Sequence, residues 1–372
     1  MAGRNMAGIL LTNFQDSYIP ELTTLRTFSS IPFGAKYRLI DFSLSNMVNS
    51  GISKIGVVTK NNYLSLMDHI GSGKAWNLSR RRGGLTFLPP FENTGDKYNN
   101  FVQTIDSIRD FINNCYEDYL LISSSMNVVN IDYQQMFNAH LKNNADITIC
   151  CHTAPLNKNN AAENLVLSLD SNRRVSEVLI NPRGVDTTVC MIKTAIMKKE
   201  FLLDVVDDCL SRSKYDFARD VIQPCVKQYN VYGYEVTSYC ADIDSIQKYF
   251  KANMDLLNPD VRADLFNMRN PIYTKVRDDM PTKYGLDSKV KNSLISPGCV
   301  IEGEVENSII FKGVRIAKGA KVSNCIIMQD CNIGEDTTLN YVVCDKDVVV
   351  NPKRMLCGID SYPVCISKKS VV

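Results

Sequence analysis

Apolar residues recur at two different periods along this chain. Up to about residue 257, short apolar runs at 8–12, 55–59, 119–123 and 147–151 alternate with longer stretches, as at 42–50 and 101–114, whose apolar residues return every three or four positions. The short runs predict strands and the longer stretches amphipathic helices, and their alternation predicts α/β units around a mainly parallel sheet. From 258 to 290, Pro259, Pro271 and Pro281 stand among mixed charges with no sustained period, which predicts an extended linker lying over a surface. Beyond it the period becomes six: Ile310, Ile316, Val322 and Met328 are evenly spaced, and Ile333 and Leu339 continue after a one-residue slip. Gly298, Gly303, Gly313, Gly319 and Gly334 mark turns between them. A six-residue apolar repeat with turn glycines predicts a β-helix, each coil stacking its apolar residue on the next. The expected organisation is an α/β domain over 1–257, a linker over 258–290 and a β-helix over 291–372.

Composition narrows the function classes. At 372 residues, 45% hydrophobic and 22% charged, the chain is long enough for two cored domains. Its 42 Lys and Arg against 40 Asp and Glu, a net +2, lack the basic excess that binding a phosphate backbone requires, so no nucleic-acid partner is expected. The 13 cysteines form no CxxC pair and lie in apolar runs, which suits reduced, buried thiols in a reducing compartment. No window of about 18 apolar residues is present, so no membrane span is expected and the cytoplasm is the expected location. Hexapeptide-repeat acyltransferases use a histidine base near the coils. The 3 histidines here, His69, His140 and His152, all fall in the first domain, which removes that reading.

One long run carries a specific likeness. The sequence IPFGAKYRLIDFSLSNMVNSG at 31–51 resembles a signature of the ADP-glucose pyrophosphorylases, or glucose-1-phosphate adenylyltransferases. Other stretches agree in order and spacing: HIGSG at 69–73, Gly83 and Gly84 before LPP at 88–90, Asp216 with Asp220, and ANMDLL at 252–257. The resemblance implies a Rossmann-like, GT-A-like nucleotidyltransferase domain followed by a left-handed parallel β-helix of hexapeptide repeats. It also implies the formation of ADP-glucose and pyrophosphate from ATP and glucose 1-phosphate, for glycogen or starch. That chemistry is an in-line attack on phosphorus, served by backbone amides and cations around the triphosphate and by Mg²⁺ held on carboxylates.

Against that family the site positions of this chain depart together. Where the resemblance implies a glycine-rich loop and an arginine after the first strand, the chain has Asn13, Phe14, Asp16 and Tyr18, with no glycine between Gly8 and Gly34. Phe28 stands for the lysine of an Ala-Lys-Pro element. Met126 stands for a metal-holding aspartate, and a thioether cannot replace a hard carboxylate on Mg²⁺. Asn181 stands for the lysine on the sugar phosphate. Asp242 keeps the second metal carboxylate, as a vestige, although Asp244 replaces the glycine that follows in the family. Lys36, Arg38 and Asp216 remain as nucleotide contacts, vestigial or turned to an effector. Losing one electrostatic group at a transition state costs about 3 kcal/mol, and these act on one transferring phosphate.

The expectation is a catalytically impaired companion subunit that works with a catalytic adenylyltransferase subunit in a hetero-oligomer, a tetramer of two chain types. It self-associates when alone and responds to sugar-phosphate or nucleotide effectors. In that reading the chain needs no cofactor of its own, and Mg²⁺ serves the partner's catalysis. Two alternatives stand beside it: a working nucleotidyltransferase with contacts rebuilt from Arg80, Arg81, Arg82, Asp216 and Asp242, and a non-enzymatic sugar-phosphate-sensing scaffold.

Overall fold

The computed structural model describes the chain except for residues 1–4, 13, 15, 60–61, 81–82, 90–99, 156–163, 183–186 and 277. Each apolar run read from the sequence is a buried strand. Met6–Leu11 lies parallel between Lys54–Val58 and Tyr119–Ser124, and Gly84–Leu88 pairs parallel on the far side of Lys54–Val58. Met6–Leu11 is buried at every position because both of its faces are covered, which is why it reads as a continuous apolar run.

Beyond Tyr119–Ser124 the sheet changes character. Thr187–Lys198 runs antiparallel to Tyr119–Ser124 and to Ile147–Pro155, Leu165–Leu169 pairs antiparallel with Val175–Ile180, and Val231–Glu235 returns parallel to Ile147–Pro155. Among the described residues this makes a 9-stranded sheet that is mixed rather than mainly parallel. Adjacent parallel strands need long crossovers, whereas the short connection between Leu169 and Val175 permits only a hairpin.

Local chemistry moves several helix ends. The helix expected at 42–50 spans Leu39–Asn49, because the Asp41 carboxylate accepts the Arg38 N–H at 2.9 Å and starts it earlier. The stretch at 101–114 is two helices, Phe101–Ser107 and Arg109–Asn113, the first capped by Asn100 accepting from the Gln103 N–H at 2.9 Å. Nor is the segment 258–290 extended throughout: Pro259–Leu265 is a helix. Asn258 caps it, accepting from the Asp260 N–H at 2.9 Å, and Pro259 pre-sets its first turn. The first coil of the β-helix also begins inside that segment, with Lys283–Tyr284 and Lys289–Lys291 already paired to the next coil.

Three 5-stranded parallel sheets build the left-handed β-helix. Ile301, Ile316, Ile333 and Val350 stack along one wall, Val305, Val322, Leu339 and Leu356 along a second, and Ile295, Ile310, Ile327, Cys344 and Ile366 along the third. The step after Val322 is therefore to Ile327, and the one-residue slip falls there. Met328 points outward instead, into an apolar cluster shared with the first domain. At Gly303 a Cβ would stand 2.4 Å from the Ala320 carbonyl oxygen, so only glycine lets the coils approach.

That shared cluster joins the domains. Phe28, Phe33, Phe42, Met126, Tyr249 and Phe250 pack with Ile309, Phe311, Ile326, Met328 and Val343. Arg26 crosses the boundary to hold both oxygens of Asp345, at 2.8 and 3.0 Å, and the Ser296 hydroxyl donates to the Ala35 carbonyl at 2.7 Å.

Candidate functional site

The chain leaves Met6–Leu11 for Lys54–Val58 and Gly84–Leu88 on one side, then returns to Tyr119–Ser124 on the other. A crevice must open at such a reversal, at the C-terminal strand ends. Leu11, Ile122 and Ser124 line a cavity of about 250 Å³ at that point. Its remaining walls are mostly apolar: Phe14, Tyr18, Met126 and Met191, with Phe101 and Phe217 in ring contact at 4.3 Å. Lys193 is the one cation among its described lining residues and Asp216 the one carboxylate. The space falls below the roughly 300–1,000 Å³ of ordinary ligand clefts, and its described walls offer little to a polyphosphate.

Asp216 caps the helical turn Phe217–Ile222, accepting the Arg219 N–H at 2.7 Å. Asp16 does not line the cavity. Its carboxylate accepts the Phe28 N–H at 2.6 Å and so holds the loop, and the Phe28 ring enters the interdomain cluster. Asn13 lies outside the described residues.

A second cavity of about 220 Å³ adjoins the first across Thr187–Lys198, since Met191 and Lys193 line both. His152, Asn164, Asp242, Lys248 and Lys251 contribute polar groups to it. Asp242 ends the strand Cys240–Asp242, whose register sets it opposite Asn127, while the Ile243 N–H donates to the Met126 carbonyl at 2.8 Å. The two positions that would bracket a cation are thus brought side by side, one a carboxylate and the other a thioether that is only 2% exposed. Burial raises the Asp242 carboxyl above its ordinary range, opposed by the ammonium of Lys248 at 3.6 Å. Burial, followed by Lys248, lowers the His152 imidazole. A thioether beside one carboxylate already faced by an ammonium does not fit Mg²⁺, which takes hard oxygen ligands in near-octahedral array.

The other residues singled out from the sequence lie elsewhere. Asn181, with φ of 48°, accepts the Asn164 N–H at 2.8 Å through its side chain and donates back to the Asn164 carbonyl at 2.9 Å, closing the strand pair beside the second cavity. Lys36 is exposed, its ammonium 5.0 Å from the Tyr37 ring. Arg38 donates to the Ser65 carbonyl at 2.7 Å and to its hydroxyl at 2.9 Å, and burial pulls its guanidinium down to about 10. Arg80 donates to the Asn77 carbonyl at 2.7 Å and lines neither cavity, while Arg81 and Arg82 lie outside the described residues.

Arg38 instead belongs to a cationic group at the domain boundary that the sequence did not reveal. Burial, then Arg38 and Arg26, push the Lys346 ammonium down to about 7, with Lys368 adding to the effect. Arg26 and Asp345 are 319 positions apart, so no local pattern could have paired them. Lys248, four residues after Asp244, was within reach of a helical-spacing argument, because Ser245 caps the helix Ile246–Asp255.

A mixed sheet with its crevice at the chain reversal, docked on a left-handed β-helix, defines the nucleotidyltransferase fold joined to a hexapeptide-repeat domain. The sequence matches the family described as Nucleotidyl transferase over residues 19–259, and that described as GlmU-like, C-terminal hexapeptide over residues 280–362. It is 35% identical to the glycogen biosynthesis protein GlgD of Bacillus subtilis (strain 168) over 370 residues, covering 99% of this chain and 97% of that protein. Identity to the glucose-1-phosphate adenylyltransferase of Geobacillus stearothermophilus is 32% over 365 residues, covering 96% and 93%. The chain therefore belongs to the glucose-1-phosphate adenylyltransferase family of glycogen biosynthesis, within which GlgD falls.

Proposed function

We propose that this chain is a regulatory, catalytically impaired subunit of a glucose-1-phosphate adenylyltransferase, modulating a catalytic partner that makes ADP-glucose and pyrophosphate from ATP and glucose 1-phosphate in the cytoplasm. The observation that carries the reading is the pairing of Met126 with Asp242: the fold keeps both positions adjacent, yet one has joined the apolar cluster between the domains. The small cavity walled by Phe14, Tyr18 and Met126 supports the same reading, because phosphoryl transfer depends on cations and amides that these side chains do not supply. Mg²⁺ is then a requirement of the partner and not of this chain.

A scaffold freed from catalysis keeps a role through its surfaces and its shared fold. The partner is a catalytic adenylyltransferase subunit, joined in a hetero-oligomer of tetramer size, with self-association when the partner is absent. The half-buried cations Arg38 and Lys346 at the domain boundary support sensitivity to a phosphate-bearing effector, since clustered cations gain most from an added anion.

Co-expression with a catalytic relative tests this role. Native mass measurement should find both chains in one particle, and the partner's substrate or effector response in the mixture should differ from its response alone. A partner that stays homomeric, with unchanged kinetics at excess of this chain, would refute the proposal.

A further inference from the structure

We infer that the Lys248 ammonium takes, in this chain, the electrostatic place of a divalent cation and closes the surviving Asp242 carboxylate to metal. Lys248 lies in the first turn of the helix Ile246–Asp255, with its ammonium 2.7 Å from Asp244 and 3.6 Å from Asp242. Asp244 is fully buried, and its other carboxylate oxygen has no hydrogen-bond partner among the described residues. A charge so placed is tolerated only with a fixed counter-charge, and Lys248 is the cation in contact with it.

The Lys248 ammonium lies between two carboxylates, Asp242 and Asp244, in the space where a cation on Asp242 would sit. A divalent ion on Asp242 would have to displace or approach this ammonium, and position 126, which meets the Asp242 strand through its backbone carbonyl, supplies no second carboxylate, its thioether being packed into the interdomain cluster. The inference also accounts for Asp242 persisting where Met126 has replaced a carboxylate. Asp242 serves as a partner of Lys248, tying the strand Cys240–Asp242 to the helix that begins at Ile246.

This inference rests on the reading of the site as impaired, but its readout is metal occupancy rather than turnover, so either can fail without the other. The test is Mn²⁺ binding to the full chain, by the electron paramagnetic resonance of free Mn²⁺ and by calorimetry. The wild-type chain should show no stoichiometric binding below about 1 mM. Lys248→Ala should take up one Mn²⁺ per chain at least about tenfold more tightly, and adding Asp242→Asn should abolish that gain. Lys248→Met preserves the packing of the stem, should the alanine variant lose its fold. A wild-type chain that binds one Mn²⁺ and loses it on Asp242→Asn would overturn the inference without any change at 248. So would folded Lys248 variants that gain no affinity.

Discussion

Replacing Asp345 by Asn changes the boundary between the domains while almost preserving shape. Asp345 accepts Arg26 through both oxygens and also the Lys346 N–H at 2.7 Å, and the side chains of Arg26 and Asp345 are only 3% and 4% exposed. In Asp345→Asn the guanidinium stays buried without its counter-charge, its Nη1 already lacks a partner among the described residues, and Lys346 and Arg38 repel it unopposed. Breaking a buried pair by removing one member costs about 3–5 kcal/mol, and the near-isosteric change belongs at the lower end, about 3 kcal/mol or on the order of 100-fold in the folding equilibrium. Urea unfolding read by far-ultraviolet circular dichroism and by the fluorescence of Trp76, the single tryptophan and itself buried, measures the loss in both domains. Arg26→Met combined with Asp345→Asn should cost less than the two single changes added together, with a coupling of about 2 kcal/mol, because no unpaired charge is left behind. A loss below about 1 kcal/mol for Asp345→Asn, or simple additivity, would refute the reasoning.

Other expectations follow from single groups. Burial pushes the His140 imidazole down to about 4, below its unfolded value, so the unfolded chain binds the extra proton as pH falls from about 6.5 towards 4 and stability drops through that window. Acid unfolding of His140→Gln should be flatter there by up to about 3 kcal/mol, and identical slopes would count against the buried neutral imidazole. Burial with neighbouring cations brings Lys346 to about 7, below its unfolded value, so the native state gives up a proton above pH 7 that the unfolded chain retains. Lys346→Met should therefore stabilise the chain most at pH 7 and below, and its advantage should shrink as pH rises; thermal unfolding across that range checks the sign. Gly303→Ala drives a Cβ against the carbonyl oxygens of Ala320 at 2.4 Å and Ala317 at 2.9 Å, backbone atoms that cannot swing away, and should destabilise the β-helix by more than about 2 kcal/mol. Limited proteolysis of the second domain reads that loss.

What the sequence disclosed divides along physical lines. Strands buried on both faces, such as Met6–Leu11, announce themselves as unbroken apolar runs, and the stacking of coils imposes a period of its own. The break between Phe101–Ser107 and Arg109–Asn113 has no Pro or Gly to mark it; Ile108 takes φ of −105°, and the Ser107 hydroxyl turns back to the Thr104 carbonyl at 2.7 Å. The start of Pro259–Leu265 was written in Asn258 and Pro259, but a search for period passes over a helix only 7 residues long. At the site, the replacements at Phe14, Tyr18 and Met126 were legible because residue type alone limits chemistry. Where Asp16 points and what holds Asp345 depend on contacts the chain makes only once folded, and which cation faces Asp242 depends on how the helix Ile246–Asp255 turns back on its strand.

The proposed role turns on whether the isolated chain can transfer an adenylyl group. Purified alone and supplied with ATP, glucose 1-phosphate and Mg²⁺, it should form ADP-glucose at least about 1,000-fold more slowly than a catalytic relative under the same conditions, since several transition-state contacts are missing at once. Turnover within about tenfold of that relative would contradict the central claim, and would mean that Phe14, Tyr18 and Met126 leave room for a working site.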